Sequence, residues 1–190
     1  MDFFNLGLFN EVKILRNVVY SDQRGFFLEA FNKKEFQDTL NIEINFVQDN
    51  HSRSKKGVLR GLHFQREPFA QAKLVRVVKG SILDVVVDIR INSVNFGKWE
   101  AIELSEKNKL MLFVPEGFAH GFLTIENDSD VIYKTNNFYN PSSDMVLNWS
   151  DSSININWNL NFYGISKPCL SEKDQLAPSL NELKRKNLLF

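Results

Sequence analysis

Apolar and polar positions alternate in short runs along most of the chain, and Gly, Pro, Asn and Asp break the runs apart. A period of two is the pattern of strands with one face packed and the other facing water or a polar interior. EVKILRNVVY at 11–20 reads as a first strand, SDQRG at 21–25 as a turn ended by Gly25, and FFLEAF at 26–31 as a second strand. Asn32 stands where an N-cap would start a short helix over 33–40. INFVQDNHS at 44–52 alternates, with Phe46, Gln48 and Asn50 on one side and Val47 and Asp49 on the other, and RSKKG at 53–57 reads as an exposed basic turn. SILDVVVDIR (81–90), KWEAIEL (98–104), LMLFVP (110–115), EGFAHGFLTI (116–125) and DVIYKTNNFY (130–139) continue the series. The stretch from about 140 reads as Pro-, Asn- and Ser-rich loops, closed by a helix over 179–186 with Ser179 as N-cap. Many short strands with turn residues between them predict an all-β sandwich or barrel.

The stretch GVLRGLHFQREPFAQAKLVRVVKG at 57–80 departs from a plain strand pair. Arg60, His63, Gln65, Gln71, Lys73 and Arg76 are set among Leu, Phe and Val between Gly57 and Gly80. Two structural strands need water on one face; they do not need a His, two Gln and three cations. This pattern predicts two strands of a barrel whose inner face is polar and basic.

Composition narrows the function. Of 190 residues, 43% are hydrophobic and 17 are Phe, which excludes a disordered chain and suits one domain over 1–190. Lys+Arg and Asp+Glu are both 23, so no globally basic surface is offered to nucleic acid. The single cysteine, Cys169, excludes an internal disulfide framework and a CxxC site. There is no GxGxxG and no P-loop motif. No basic leader precedes an apolar run at the N-terminus and no apolar run reaches spanning length, so a cytoplasmic location is expected and a membrane partner is not.

Of the three histidines, His51 lies beside the RSKK turn and reads as a structural residue. His63 in GVLRGLHFQ and His120 in VPEGFAHGF lie in segments that resemble the two motifs of the cupin superfamily, a double-stranded β-helix, or jelly-roll, barrel. Metal-binding cupins carry a second His where this chain has Gln65, and a later Glu where it has Gln71 and Lys73. Two imidazoles opposite a lysine suit a divalent cation poorly, so no metal site is expected. A barrel-lining imidazole without a metal can move a proton itself. With Lys73 as cation and Tyr133 as acid, the set fits proton abstraction beside a carbonyl, followed by reprotonation.

Seven ordered motifs carry the resemblance further: DQRGFFLEAF (22–31), QDNHSRSKKGVLRGLHFQ (48–65), QAKLVRVVKGSILDVVVDIR (71–90), SVNFGKW (93–99), LFVPEGFAHGF (112–122), YK with FYNP (133–141) and LSEKD (170–174). With them the chain resembles the dTDP-4-dehydrorhamnose 3,5-epimerase family over roughly residues 10–180. The resemblance implies His63 as the base, Asp174 as its orienting partner, Lys73 as the enolate's cation and Tyr133 as the proton donor. It implies Arg24 and Arg60 at the diphosphate-sugar, Phe27 and Glu29 at the thymine, Gln48, Asp49 and Asn50 at nucleotide and sugar, His120 in the sugar site, and Asp144 and Lys173 as further ligand contacts. Arginine's planar fork suits a diphosphate, and an aromatic face with an acceptor suits a base. Read without the motifs, Arg24 is a solvated turn cation, Phe27 and Glu29 are ordinary strand alternation, and Asp174 is a surface acid.

The resemblance also implies a nucleotide-sugar substrate, no cofactor, and a homodimer in which the 10–31 region is exchanged and residues 22–31 complete the neighbour's pocket. Residues 140–190 form a C-terminal extension in this reading. Three departures stand out. Phe138–Tyr139 replaces a common Tyr-Tyr pair, which bears on how completely the second carbon is epimerised. Asp144 replaces a common Glu, and NLNFYGIS at 159–166 is longer than usual. The competing readings are a 3-epimerase, an epimerase of another nucleotide sugar, a metal-dependent cupin oxygenase or isomerase, and a non-catalytic sugar-nucleotide binding module.

Overall fold

The computed structural model describes residues 1–190. Thirteen strands and three short helices follow in chain order: β1 (Asp2–Leu6), β2 (Phe9–Arg16), β3 (Val19–Asp22), β4 (Gly25–Leu28), α1 (Lys33–Leu40), β5 (Gln48–Ser54), β6 (Leu59–Gln65), β7 (Lys73–Lys79), β8 (Ser81–Asp88), β9 (Trp99–Ser105), β10 (Leu110–Val114), β11 (Phe118–Thr124), β12 (Ser129–Thr135), β13 (Asp144–Val146), α2 (Glu172–Gln175) and α3 (Leu180–Arg185). Two antiparallel sheets face each other, one ordered β1-β2-β10-β7-β12-β5 and the other β13-β6-β11-β8-β9. β3 and β4 form a separate hairpin. The stretch 57–80 divides between the sheets: β6 lies in one and β7 in the other.

Three apolar layers follow from the alternation. Val75, Val77, Ile82, Val86, Leu112 and Phe122 meet between the sheets. The opposite-parity residues Leu83, Val85, Val87 and Leu123 point outward and are covered by Leu147, Trp158, Ile165 and Leu183 from the C-terminal segment. On the other side, Leu74, Met111 and Phe113 are covered by Phe36 of α1. β8 is buried at every position because both of its faces are covered. The Asn32 side chain accepts from the Glu35 N–H to start α1. Ser179 and Glu182 form a reciprocal capping box on α3.

One irregularity positions the site. On β11, His120 and Phe122 are two residues apart and share a face. Their partners on β6, His63 and Arg60, are three apart, so one extra residue is accommodated at Gly61–Leu62. This bulge turns Arg60 and His63 to the same interior face. It depends on close backbone contact: a Cβ on Gly121 would lie 2.7 Å from the Arg60 carbonyl oxygen and 3.0 Å from Gly61 Cα. Gly61 also has φ of 131°, a conformation a side chain disfavours.

Several segments differ from the sequence expectation. The strand read over 11–20 is two strands, β2 and β3, and β1 precedes them as an edge partner of β2. Arg53 and Ser54 belong to β5 rather than to a turn, because Arg53 makes a two-pronged ion pair with Asp130 on β12. The loops after 140 contain β13 and α2; the latter is too short for a periodic signal. The Asn32 and Ser179 caps are where the sequence puts them.

Replacing Gly121 with Ala forces the β6 and β11 backbones apart and is expected to cost about 1–3 kcal/mol. Thermal denaturation checks this: Tm should fall by several degrees, whereas an unchanged Tm would show that the contact is not tight.

Candidate active site

β6 aims His63 into the barrel, and α2 brings Asp174 to it from 111 positions away in sequence. The ring Nε2 lies 2.6 Å from Asp174 Oδ1. An ionised carboxylate only accepts, so Nε2 carries the hydrogen and Nδ1 keeps its lone pair. Asp174 is 3% exposed. Burial pushes its carboxyl up, but hydrogen bonds and charge from His63, Ser171 and the Gly61 N–H outweigh this and hold it below the usual range.

Lys73 enters from β7 in the facing sheet, and its Nζ donates to the His63 carbonyl oxygen at 3.1 Å. Burial pulls the ammonium down to about 8, with Asp84 and Asp144 opposing the shift and Lys173 adding to it. Tyr133 on β12 lies opposite Asn50 and Val75. Burial pushes its phenol up, partly offset by Arg60 and reinforced by Asp144. His120 stands across from His63 in the strand register, and its Nε2 lies 2.8 and 3.0 Å from the two oxygens of Asp84.

His63, Lys73 and Tyr133 line a cavity of about 190 Å³ together with Gln48 and Asn50. Tyr139, Asp144 and Lys173 stand at the same cavity. The Tyr139 hydroxyl donates to Asp144 Oδ2 at 2.9 Å, and Lys173 pairs with the same oxygen. Gln65 spends its amide on the surrounding loops: it donates to the carbonyls of Phe69 and Phe138 and accepts from the Asn140 N–H. A larger recess of about 680 Å³ lies among residues 149–166, but its single carboxylate, Asp151, is engaged by Ser153 and the Leu180 N–H. No base, acid and cation converge there, so the smaller cavity is the candidate site.

Of the residues the sequence singled out, the structure thus brings together His63, Asp174, Lys73, Tyr133, Gln48, Asn50, Asp144 and Lys173. Arg60 shares the interior face but binds Ser54 Oγ, and His120 is buried beside the cavity rather than lining it. Asp49 points to the opposite face of β5 and pairs with Lys134. Arg24, Phe27 and Glu29 lie on or next to the exposed β3–β4 hairpin, away from this chain's cavity; Phe27 is 68% exposed and Arg24 pairs with Asp22. Asp84, Tyr139 and Gln71 are polar groups in or beside the cavity to which the sequence assigns no role. Asp84 had a signal: it shares parity with Ile82 and Val86 on a strand buried on both faces.

An Asp-backed imidazole, a desolvated ammonium and a phenol converging in one small cavity of a cupin-type barrel define an isomerase that works by moving protons. The chain belongs to the dTDP-4-dehydrorhamnose 3,5-epimerase family, whose sequence profile matches residues 8–182. It is 50% identical over 179 residues to the dTDP-4-dehydrorhamnose 3,5-epimerase of Escherichia coli strain K12, covering 94% of this chain and 95% of that one. The crystal structure of the Legionella pneumophila dTDP-6-deoxy-D-glucose-3,5-epimerase, in complex with dTDP-4-keto-L-rhamnose, superimposes with a TM-score of 0.92 at 42% identity, over 99% and 96% of the two chains. A 3'-monoepimerase from Streptomyces bikiniensis, in complex with dTDP-quinovose, gives a TM-score of 0.91 at 31% identity, over 98% and 92%.

Lys73 carries a cost in stability. Its folded value of about 8 lies below the ordinary lysine value of 10.5. Below about 8 the ammonium is buried charged and the cost is complete. Between the two values the unfolded chain holds more protons, so stability rises with pH. Lys73→Met is therefore expected to be more stable than wild type at pH 7, by on the order of 2–3 kcal/mol. Urea denaturation should show the gap closing as pH rises towards 10; a variant less stable than wild type at pH 7 would contradict the assignment.

Proposed function

We propose that the protein converts dTDP-4-dehydro-6-deoxy-D-glucose to dTDP-4-dehydro-L-rhamnose by inverting C3 and C5. The observation that carries this reading is the His63–Asp174 pair facing Lys73 and Tyr133 across one cavity, in a chain of this family. Nδ1 of His63 takes a proton from a carbon flanking the C4 ketone. Asp174 fixes the tautomer and stabilises the imidazolium that forms. The negative charge collects on the C4 oxygen, where the Lys73 ammonium holds it in a desolvated setting. Tyr133 returns a proton from the other ring face, and the sequence repeats at the second carbon. The imidazolium and the phenolate then reset by exchange with solvent.

Around this centre, Arg60 and Lys173 supply cations for the diphosphate, and Gln48, Asn50 and Asp144 supply donors and acceptors for the sugar and nucleotide. The reaction needs only these acids and bases. A divalent cation does not suit the donor set, because Gln65 is engaged by the loops and Lys73 brings positive charge. The protein acts as a homodimer in this proposal. The exposed Arg24, Phe27 and Glu29 of one protomer then complete the thymine and diphosphate end of its partner's cavity, which accounts for their distance from their own. A cytoplasmic location belongs to the same proposal; no helix is long and apolar enough to cross a membrane. Phe138, 64% exposed and lacking a phenol hydroxyl, favours incomplete turnover at the second carbon as the alternative.

NMR of the product formed in deuterated water tests the reaction. Deuterium should enter at both carbons flanking the ketone. Label at one carbon only would identify a 3-epimerase, and label at neither would exclude epimerisation. His63→Asn should lower exchange by about 10²–10⁴-fold. The rate should also fall as pH rises through about 8, where Lys73 loses its charge.

A further inference from the structure

Asp84 is fully buried on β8 and takes no part in the proton transfers above. Its strand turns Ile82, Asp84 and Val86 towards the barrel interior, and the two flanking positions are core residues. A carboxylate at such a position is costly unless it has a partner. Its only hydrogen-bond partner is His120, whose single Nε2–H is shared between the two carboxylate oxygens. His120 is itself buried, and burial pulls its imidazole towards the neutral form. One imidazole nitrogen thus serves both oxygens of a carboxylate buried in the barrel wall, and no Lys or Arg pairs with it.

Lys73 shares its cavity with His63 on β6, Tyr133 on β12, Asp144 on β13 and Lys173 on α2, with Asp174 behind His63. Its Nζ reaches the His63 carbonyl, His63 stands across from His120 on β11, and His120 bonds Asp84 on β8, which shares the interior parity of Ile82 and Val86. Among the three carboxylates, Asp144 is matched by Lys173 and bonded by Tyr139. The Asp174 carboxylate is engaged by His63 at 2.6 Å. Asp84, like Asp174, is partnered by an imidazole and by no Lys or Arg, and both of its oxygens meet that one ring nitrogen.

We infer that Asp84 is a positioning residue whose buried negative charge holds Lys73 as an ammonium and fixes the His120 ring beside the sugar site. The inference rests on the proposed epimerase reaction for its catalytic meaning, but the charge coupling stands apart from it. Without Asp84, the C4 enolate would meet a neutral amine over part of the working pH range.

Asp84→Asn keeps the shape and removes the charge. Two measurements on the full chain read the result. One is the pH dependence of Lys73 acetylation by acetic anhydride, followed by mass spectrometry without substrate. The other is the pH–rate profile of deuterium exchange into the sugar. Both midpoints should move down by about one pH unit or more. A structural defect alone would lower the rate without moving either midpoint. If Asp84→Asn does not fold, Asp84→Thr carries the same expectation, with its hydroxyl available to His120. Midpoints coincident with wild type would overturn the inference. Absence of exchange in the wild type would overturn the epimerase reading instead and leave the acetylation shift to decide this one.

Discussion

The burial of the Lys73 ammonium is the constraint on which the site depends. An amine held at about 8 is charged at neutral pH and close to losing its proton. It reaches that state only because two sheets, each covered on both faces, exclude water from the barrel interior. The same exclusion strengthens every electrostatic contact inside. It pushes the Tyr133 phenol up, towards the protonated form that a proton donor needs. It also makes each carboxylate costly, so Asp84, Asp144 and Asp174 all stand within partnered sets.

The second requirement is geometric. A regular β6 would turn Arg60 and His63 to opposite faces, since they are an odd number of residues apart. The bulge at Gly61 and the close approach of Gly121 turn both to one face. Gln65, at the end of the same strand, ties the 66–70 and 138–140 loops to the cavity. Strand β6 thereby carries His63, Arg60 and the loop anchor Gln65. Gln65 stands where a metal-binding cupin would place a ligand and is instead engaged by the surrounding loops.

Much of this was legible in the sequence. Alternation alone put Gln48 and Asn50 on one face and Asp49 on the other, and the structure agrees: Asp49 pairs outward with Lys134. Taking QDN as one block to assign ligand contacts ignored that parity. The oddly polar stretch 57–80 contains His63 and Lys73, which line one cavity, but the pattern did not show that its two strands belong to facing sheets. Only the resemblance could join Asp174 to His63, because a four-residue helix has no period and 111 positions separate the pair. Asp84 lies within the apolar run 81–90, and its partner His120 is on another strand, which no local pattern specifies. Nor does any local pattern place the β3–β4 hairpin, which lies away from the cavity.

The most direct test of the buried cation is an NMR titration of the protein with isotopically labelled lysine, with the Lys73 signal assigned from a Lys73→Met spectrum. One lysine should titrate near 8, apart from the others, and should vanish in the variant. A Lys73 signal titrating with the remaining lysines, near 10.5, would contradict the picture of a desolvated ammonium facing His63.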